Sequence, residues 1–256
     1  MSRPGTYVIG LTLLVGLVVG NPGCPRSYRP LTLDYRLNPV AVIGDSYTTG
    51  TDEGGLGSKS WTARTWQMLA ARGVRIAADV AAEGRAGYGV PGDHGNVFED
   101  LTARAVQPDD ALVVFFGSRN DQGMDPEDPE MLAEKVRDTF DLARHRAPSA
   151  SLLVIAPPWP TADVPGPMLR IRDVLGAQAR AAGAVFVDPI ADHWFVDRPE
   201  LIGADGVHPN DAGHEYLADK IAPLISRRPS PASGAAAVRK ASSIGLISEP
   251  PKPFHS

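Results

Sequence analysis

The sequence predicts an α/β domain, a parallel sheet with helices on both faces. Three observations carry that reading. Five short apolar runs recur through the middle of the chain, helical segments fit between them, and the runs are near-continuously apolar, as strands buried on both faces must be. The chain has 256 residues, 43% of them hydrophobic, which suits one sizeable core rather than two.

The first run, 40–43, is β-branched or small, and it stops at Gly44-Asp45-Ser46 like a buried strand entering a tight turn. Further strands are expected over 74–80, 111–116, 152–156 and 184–187. Helices are expected over 61–72, with Trp61, Thr65, Met68 and Leu69 near one face, over 130–146, and over 168–182, ending at Gly183. The last helix should run over 211–226, with Asn210 as its N-cap and Leu217, Ile221 and Leu224 turned inward. No internal repeat is visible.

The two ends differ from this body. Arg3 precedes an apolar run over 7–19, and Gly20-Asn21-Pro22-Gly23-Cys24 follows. A basic start, an apolar stretch too short for an ordinary span, and helix breakers resemble a secretory signal or short membrane anchor over 1–23. Residues 24–37 then read as a linker, and 227–256, rich in Pro, Ser and Ala without apolar periodicity, as a disordered tail. Both ends carry a basic excess, so the net charge of -5 conceals a more acidic body. That balance argues against a nucleic-acid partner, which requires a basic face. Cys24 is the single cysteine, so the chain can form neither an internal disulfide nor a thiolate metal cluster.

In a parallel sheet, reactive groups gather on loops at the carboxyl ends of strands, where the strand order reverses. Four loops qualify here: the one carrying Ser46, then 82–89, 117–121 and 205–210. A serine hydroxyl is a weak nucleophile unless an imidazole takes its proton and a third group orients that imidazole. Asp205 and His208 can supply both, with Gly206 between them to let the loop fold back and Pro209 to stiffen it. The oxyanion formed by attack on an ester needs donors; the N–H of Gly87 and the side-chain amide of Asn120 are the candidates.

Each feature alone has a plainer reading. Gly-Asp-Ser also fits a helix cap, His208 a loop histidine, Gly87 a turn and Asn120-Asp121 a cap. His94, His145, His193, His214 and His255 are assigned to structure or surface. The glycine-rich stretch 51–57 has neither a P-loop ending nor dinucleotide spacing, and reads as a flexible loop near the site. Asp52 and Glu53 within it fit solvent exposure better than cation binding. Trp159, flanked by prolines, either packs on its own domain or meets a sugar ring or acyl chain.

Taken together, Gly44-Asp45-Ser46-Tyr47-Thr48, Gly87, Asn120-Asp121 and Asp205-Gly206-Val207-His208-Pro209 resemble, in order, the four blocks of the SGNH hydrolases, or GDSL-like esterases. The resemblance covers about 38–226. It implies a three-layer α/β/α sandwich with a five-stranded parallel sheet in flavodoxin-like order 2-1-3-4-5. It also implies roles: Ser46 as nucleophile, His208 as base and acid, Asp205 orienting His208, and the N–H groups of Ser46 and Gly87 with Asn120 as oxyanion hole, without metal or cofactor. Two departures stand out. Ala82 replaces the asparagine usual five residues before the block-two glycine, which should loosen that loop, and Ser118 replaces a glycine, which should narrow the room beside the oxyanion.

The expected function is an exported serine esterase acting on short acyl, even acetyl, esters of a carbohydrate or lipid. The alternatives are acyl transfer at the same site and a non-catalytic envelope binding module on this scaffold.

Overall fold

The computed structural model describes residues 37–124 and 129–226. Among them, five strands form one parallel sheet: β1 (Asn38–Gly44), β2 (Ile76–Ala82), β3 (Leu112–Phe116), β4 (Ser151–Ile155) and β5 (Val185–Val187). Their order is β2-β1-β3-β4-β5, as the resemblance implied. The chain steps from β1 out to β2, then back past β1 to β3, so the strand order reverses between β1 and β3. At that point Gly44 lies opposite both Ala82 and Phe116, and the loops leaving all three strands open on one edge.

Alternation along β1 divides the core. Val40 and Val42 pack with Trp61 and Leu69 of α2 (Trp61–Ala71) and with Leu217 and Ile221 of α6 (Asp211–Ser226). Ala41 and Ile43 face the other layer, formed by α3 (Phe98–Ala105), α4 (Pro129–Arg146) and α5 (Gly166–Ala181). Both faces of the central strands are therefore dry, which explains their uninterrupted apolar sequence. A further short helix, α1 (Ser46–Thr49), follows β1 directly.

Several boundaries differ from expectation. β2 begins at Ile76 rather than 74, because Gly73 adopts φ 79° and Val74 N–H returns to Leu69 O, closing the end of α2 first. At the sheet edge, 77–80 lie exposed, so β2 is not buried on both faces. α3 was not expected at all; its eight residues carry charges among buried Phe98, Leu101 and Ala105. α5 begins two residues early, at Gly166 with Pro167 in its first turn, and is capped by Ala182; Gly183, at φ 62°, lies just beyond. α6 spans 211–226 as expected and runs through Pro223, although Ile225 is buried more deeply than Leu224. Asn210 does cap it: its Oδ1 accepts from Ala212 and Gly213 N–H, each at 3.0 Å.

The proposed leader, the linker up to residue 36, His255 and the C-terminal tail lie outside the described residues. No helix among the described residues is long and apolar enough to cross a membrane.

Candidate active site

Ser46 opens α1 immediately after β1. The turn is tight enough that any side chain on Gly44 would collide with Thr48. Asp45 caps the helix, its Oδ1 accepting from Tyr47 N–H at 2.9 Å. The capping expected for this pair thus belongs to Asp45, which leaves the Ser46 hydroxyl free for other partners. Asp45 is 1% exposed and its Oδ2 has no hydrogen bond. Burial pushes its carboxyl up to about 7, against the pull of the Tyr47 N–H.

The loop before α6 brings His208 to Ser46 across 162 residues of sequence. His208 Nε2 is 2.9 Å from Ser46 Oγ, and Nδ1 is 2.5 Å from Asp205 Oδ2. Gly206, at φ 68°, makes the turn that folds the carboxylate back onto its neighbour. Asp205 Oδ1 also accepts the N–H groups of Val207 and His208. Burial raises the Asp205 carboxyl, but these hydrogen bonds outweigh it and hold the group below the ordinary carboxylate range. Geometrically, Ser46, His208 and Asp205 form one relay of hydrogen bonds.

Neighbouring loops fix the histidine. Tyr47 O–H donates to Val207 O at 2.5 Å, and Gly203 N–H to His208 O at 2.8 Å. Glu53 accepts Ala204 N–H at 2.6 Å, so this residue of the glycine-rich loop braces the histidine loop. Among the described residues no group of side chains could hold a metal ion.

The loop after β3 carries Asn120. Gly117 must be glycine, because a side chain there would strike Asp45. Ser118 adopts φ 91°, a left-handed conformation that suits the glycine it replaces. Its side chain does not narrow the site: it is fully buried and donates to Asp121 Oδ2 at 2.7 Å. Asp121 also accepts the N–H groups of Tyr88, Gly89 and Val90, pinning the loop after β2. Glu83 holds the same loop through His94 N–H and the Asn96 side chain. These two carboxylates anchor the loop that Ala82 was expected to loosen.

Asn120 Nδ2 donates one proton to Ala86 O at 2.9 Å, which leaves the second without a partner among the described residues. Gly87 requires correction. Its N–H donates to Val90 O at 2.8 Å, so it is already committed within its own turn. Glycine is needed there because a side chain would run into the Asp121 carboxylate. Arg85 presents a different case: it adopts φ 66° at the third position of the turn closed by Ala86 N–H to Glu83 O. Its own N–H, like that of Ser46, has no hydrogen-bond partner among the described residues. Nothing in the sequence marks Arg85, because a left-handed conformation announces itself only where glycine occupies the place.

Ser46, His208, Asn120 and Arg85 line one cleft of about 460 Å³. Exposed His94, assigned to the surface from sequence, stands on its rim. Arg119, also passed over, lines the cleft and lies over the Trp159 ring, 4.3 Å from its centroid. Trp159 Nε1 bonds Thr161 Oγ1 and Asp163 O, and the ring packs on the domain's own core, as the plainer reading of that residue held. His214 is buried between α2 and α6, where its Nδ1 accepts Trp61 N–H at 3.3 Å.

The comparisons with known proteins agree on the fold. A lipase/acylhydrolase from Enterococcus faecalis superposes with a TM-score of 0.58 at 20% identity, over 76% of this chain and 98% of that one. A member of the lipolytic G-D-S-L family from Veillonella parvula gives 0.56 at 18% identity, over 74% and 99%. A family two carbohydrate esterase from Clostridium thermocellum, solved with cellohexaose, gives 0.58 at 17% identity, over 73% and 63%. The sequence profile of the GDSL-like lipase/acylhydrolase family matches residues 42–216, a span that includes the serine and histidine loops, and the chain belongs to that family.

Proposed function

We propose that the protein is an exported serine esterase that hydrolyses short-chain, acetyl-sized esters on a carbohydrate through an acyl-enzyme. The observation that carries this reading is the continuous relay from Asp205 Oδ2 through His208 to Ser46 Oγ, at 2.5 and 2.9 Å. Ser46 Oγ forms a bond to the acyl carbonyl carbon while His208 Nε2 takes its proton. His208 then protonates the departing alcohol, and the acyl group stays on Ser46. Water, deprotonated by the same nitrogen, attacks the acyl-enzyme and releases the acid and the free serine. The developing oxyanion is held by Ser46 N–H, the free Nδ2 proton of Asn120 and, in place of Gly87, the N–H of Arg85. Asp205 keeps the His208 tautomer with its proton on Nδ1 and stabilises the imidazolium.

Thr49, Thr51 and His94 around the serine offer hydrogen-bonding groups to a hydroxylated alcohol portion, which supports a carbohydrate. The carbohydrate esterase among the similar structures supports the same choice. Treatment with a fluorophosphonate probe, beside turnover of p-nitrophenyl acetate, tests the chemistry. Ser46 should be the labelled residue, and Ser46→Ala should lose both signals. Folded wild-type protein that neither labels nor turns over would sink the reading. The apolar N-terminal stretch supports export, which mass spectrometry of the mature chain tests through cleavage near Gly20 or a lipid on Cys24.

A further inference from the structure

We propose that Arg119 is a specificity residue that binds an anionic substituent, a carboxylate or phosphate, carried by the substrate beside its ester group. The proposal rests on the esterase reading above and names the kind of ester that the cleft selects. Arg119 directly precedes Asn120 and lines the same cleft as Ser46 and His208. Its guanidinium is stacked on Trp159, 4.3 Å from the ring centroid. That ring is immobilised by its own two hydrogen bonds, to Thr161 and Asp163, and by the prolines on either side. Stacking uses the π face of a guanidinium and leaves the in-plane N–H fork available, the geometry that meets a carboxylate or phosphate in two parallel hydrogen bonds.

Among the described residues no carboxylate pairs with the fork, which lies beside the neutral Tyr47 phenol. Arg119 forms no ion pair among the described residues, and its Nη1 is shut away from solvent without an acceptor. The other charged side chains around the cleft are engaged. Arg85 pairs with Asp93 at 3.6 Å, Glu83 accepts from His94 and Asn96, and Asp205 is held by His208. Asp45 is the acid whose field Arg119 feels, yet its buried Oδ2 makes no hydrogen bond to the guanidinium. A cation held rigid, partly desolvated and uncompensated inside a substrate cleft costs the free protein stability. A substrate anion would recover that cost, and so would discriminate for itself against neutral esters.

Two matched pairs of esters test this, one for each side of the scissile bond. p-Nitrophenyl hemisuccinate against p-nitrophenyl butyrate places the anion on the acyl group. 4-Acetoxybenzoate against phenyl acetate places it on the alcohol. Wild-type protein should favour the anionic member of one pair in kcat/KM, which also shows on which side the natural anion sits. In Arg119→Met that anionic-over-neutral ratio should fall about 10-fold to 100-fold, mainly through KM, and Arg119→Lys should restore part of it. A wild type that favours the neutral member of both pairs overturns the proposal. So does an Arg119→Met variant, folded by circular dichroism, whose ratio is unchanged while both rates fall, since Arg119 would then be only a counter-charge for Asp45. The esterase reading fails separately, by loss of Ser46-dependent turnover of the neutral esters in wild-type protein, and it takes this proposal with it.

Discussion

The Tyr47 phenol donates to the Val207 carbonyl at 2.5 Å, so the residue after Ser46 is tied to the residue before His208. The Tyr47 ring also lies 5.8 Å from the His208 ring, centroid to centroid. Burial raises the phenol well above its ordinary titration range, which keeps the donor proton in place at any working pH. One side chain thereby sets the separation of the two groups that exchange a proton.

Tyr47→Phe keeps the ring and removes that tether. Activity toward a short p-nitrophenyl ester should fall about 10-fold, since a small misplacement of reacting groups is expensive. Stability should drop by about 1 kcal/mol, the usual net contribution of one such hydrogen bond. Steady-state kinetics beside urea denaturation measure both, and unchanged kinetics would remove Tyr47 from the positioning of His208.

Substitutions in the relay should be far more costly. Ser46→Ala or His208→Ala should lower turnover by a factor on the order of 10^4 or more. Asn120→Ala should cost about 10^2 to 10^3, the usual loss for one oxyanion donor. Part of that loss comes from freeing the Ala86 carbonyl that Asn120 also holds. A wild-type rate in Asn120→Ala would take its amide out of the oxyanion hole.

The choice of Arg85 over Gly87 as backbone donor is open to NMR. On forming a phosphonate adduct at Ser46, the Arg85 amide proton should move strongly downfield as it gains a charged acceptor. The Gly87 amide, already bonded to Val90 O, should stay near its resting position. The opposite pattern restores Gly87 to the oxyanion hole.

Two buried groups should give opposing pH dependences of stability. Burial pushes His214 down to about 4 from 6.5, so its contribution is full above about pH 6.5 and is lost as pH falls toward 4. Asp45, raised to about 7 from 3.8, behaves oppositely: its contribution is full below about pH 4 and is lost as pH rises toward 7. Each window corresponds to about 3 to 4 kcal/mol. Relative to wild type, Asp45→Asn should therefore lose stability on acidification from pH 6.5 to 4. His214→Gln should lose it on moving from pH 4 to 7. Denaturation curves at several pH values test this, and parallel profiles for all three proteins would refute it.

The boundaries that sequence reading missed share a cause. β2 is an edge strand of four alanines with Ile76, Asp79 and Val80, so its start was set by the end of α2 and the pairing of Asn38 with Ile76. α3 mixes charges with buried Phe98 and Leu101 over two turns, too short for periodicity to stand out. At the site, Ser46, Asp205, His208 and Asn120 were legible because their chemistry depends on residue type and on position at strand ends. Arg85 and Arg119 were not, because their importance lies in a φ angle, an unused N–H and a ring contact.

The α/β class, the five apolar runs and the family to which the chain belongs are legible in the order of the amino acids alone. Those follow from periodicity and from short motifs, which are properties of neighbouring residues. Which donors are free is settled by the folded backbone, since a hydrogen bond is allotted once and its partner depends on conformation rather than on residue type. Val90 takes the N–H of Gly87, Asp121 takes the Ser118 hydroxyl, and the guanidinium of Arg119 is left on Trp159 facing the cleft.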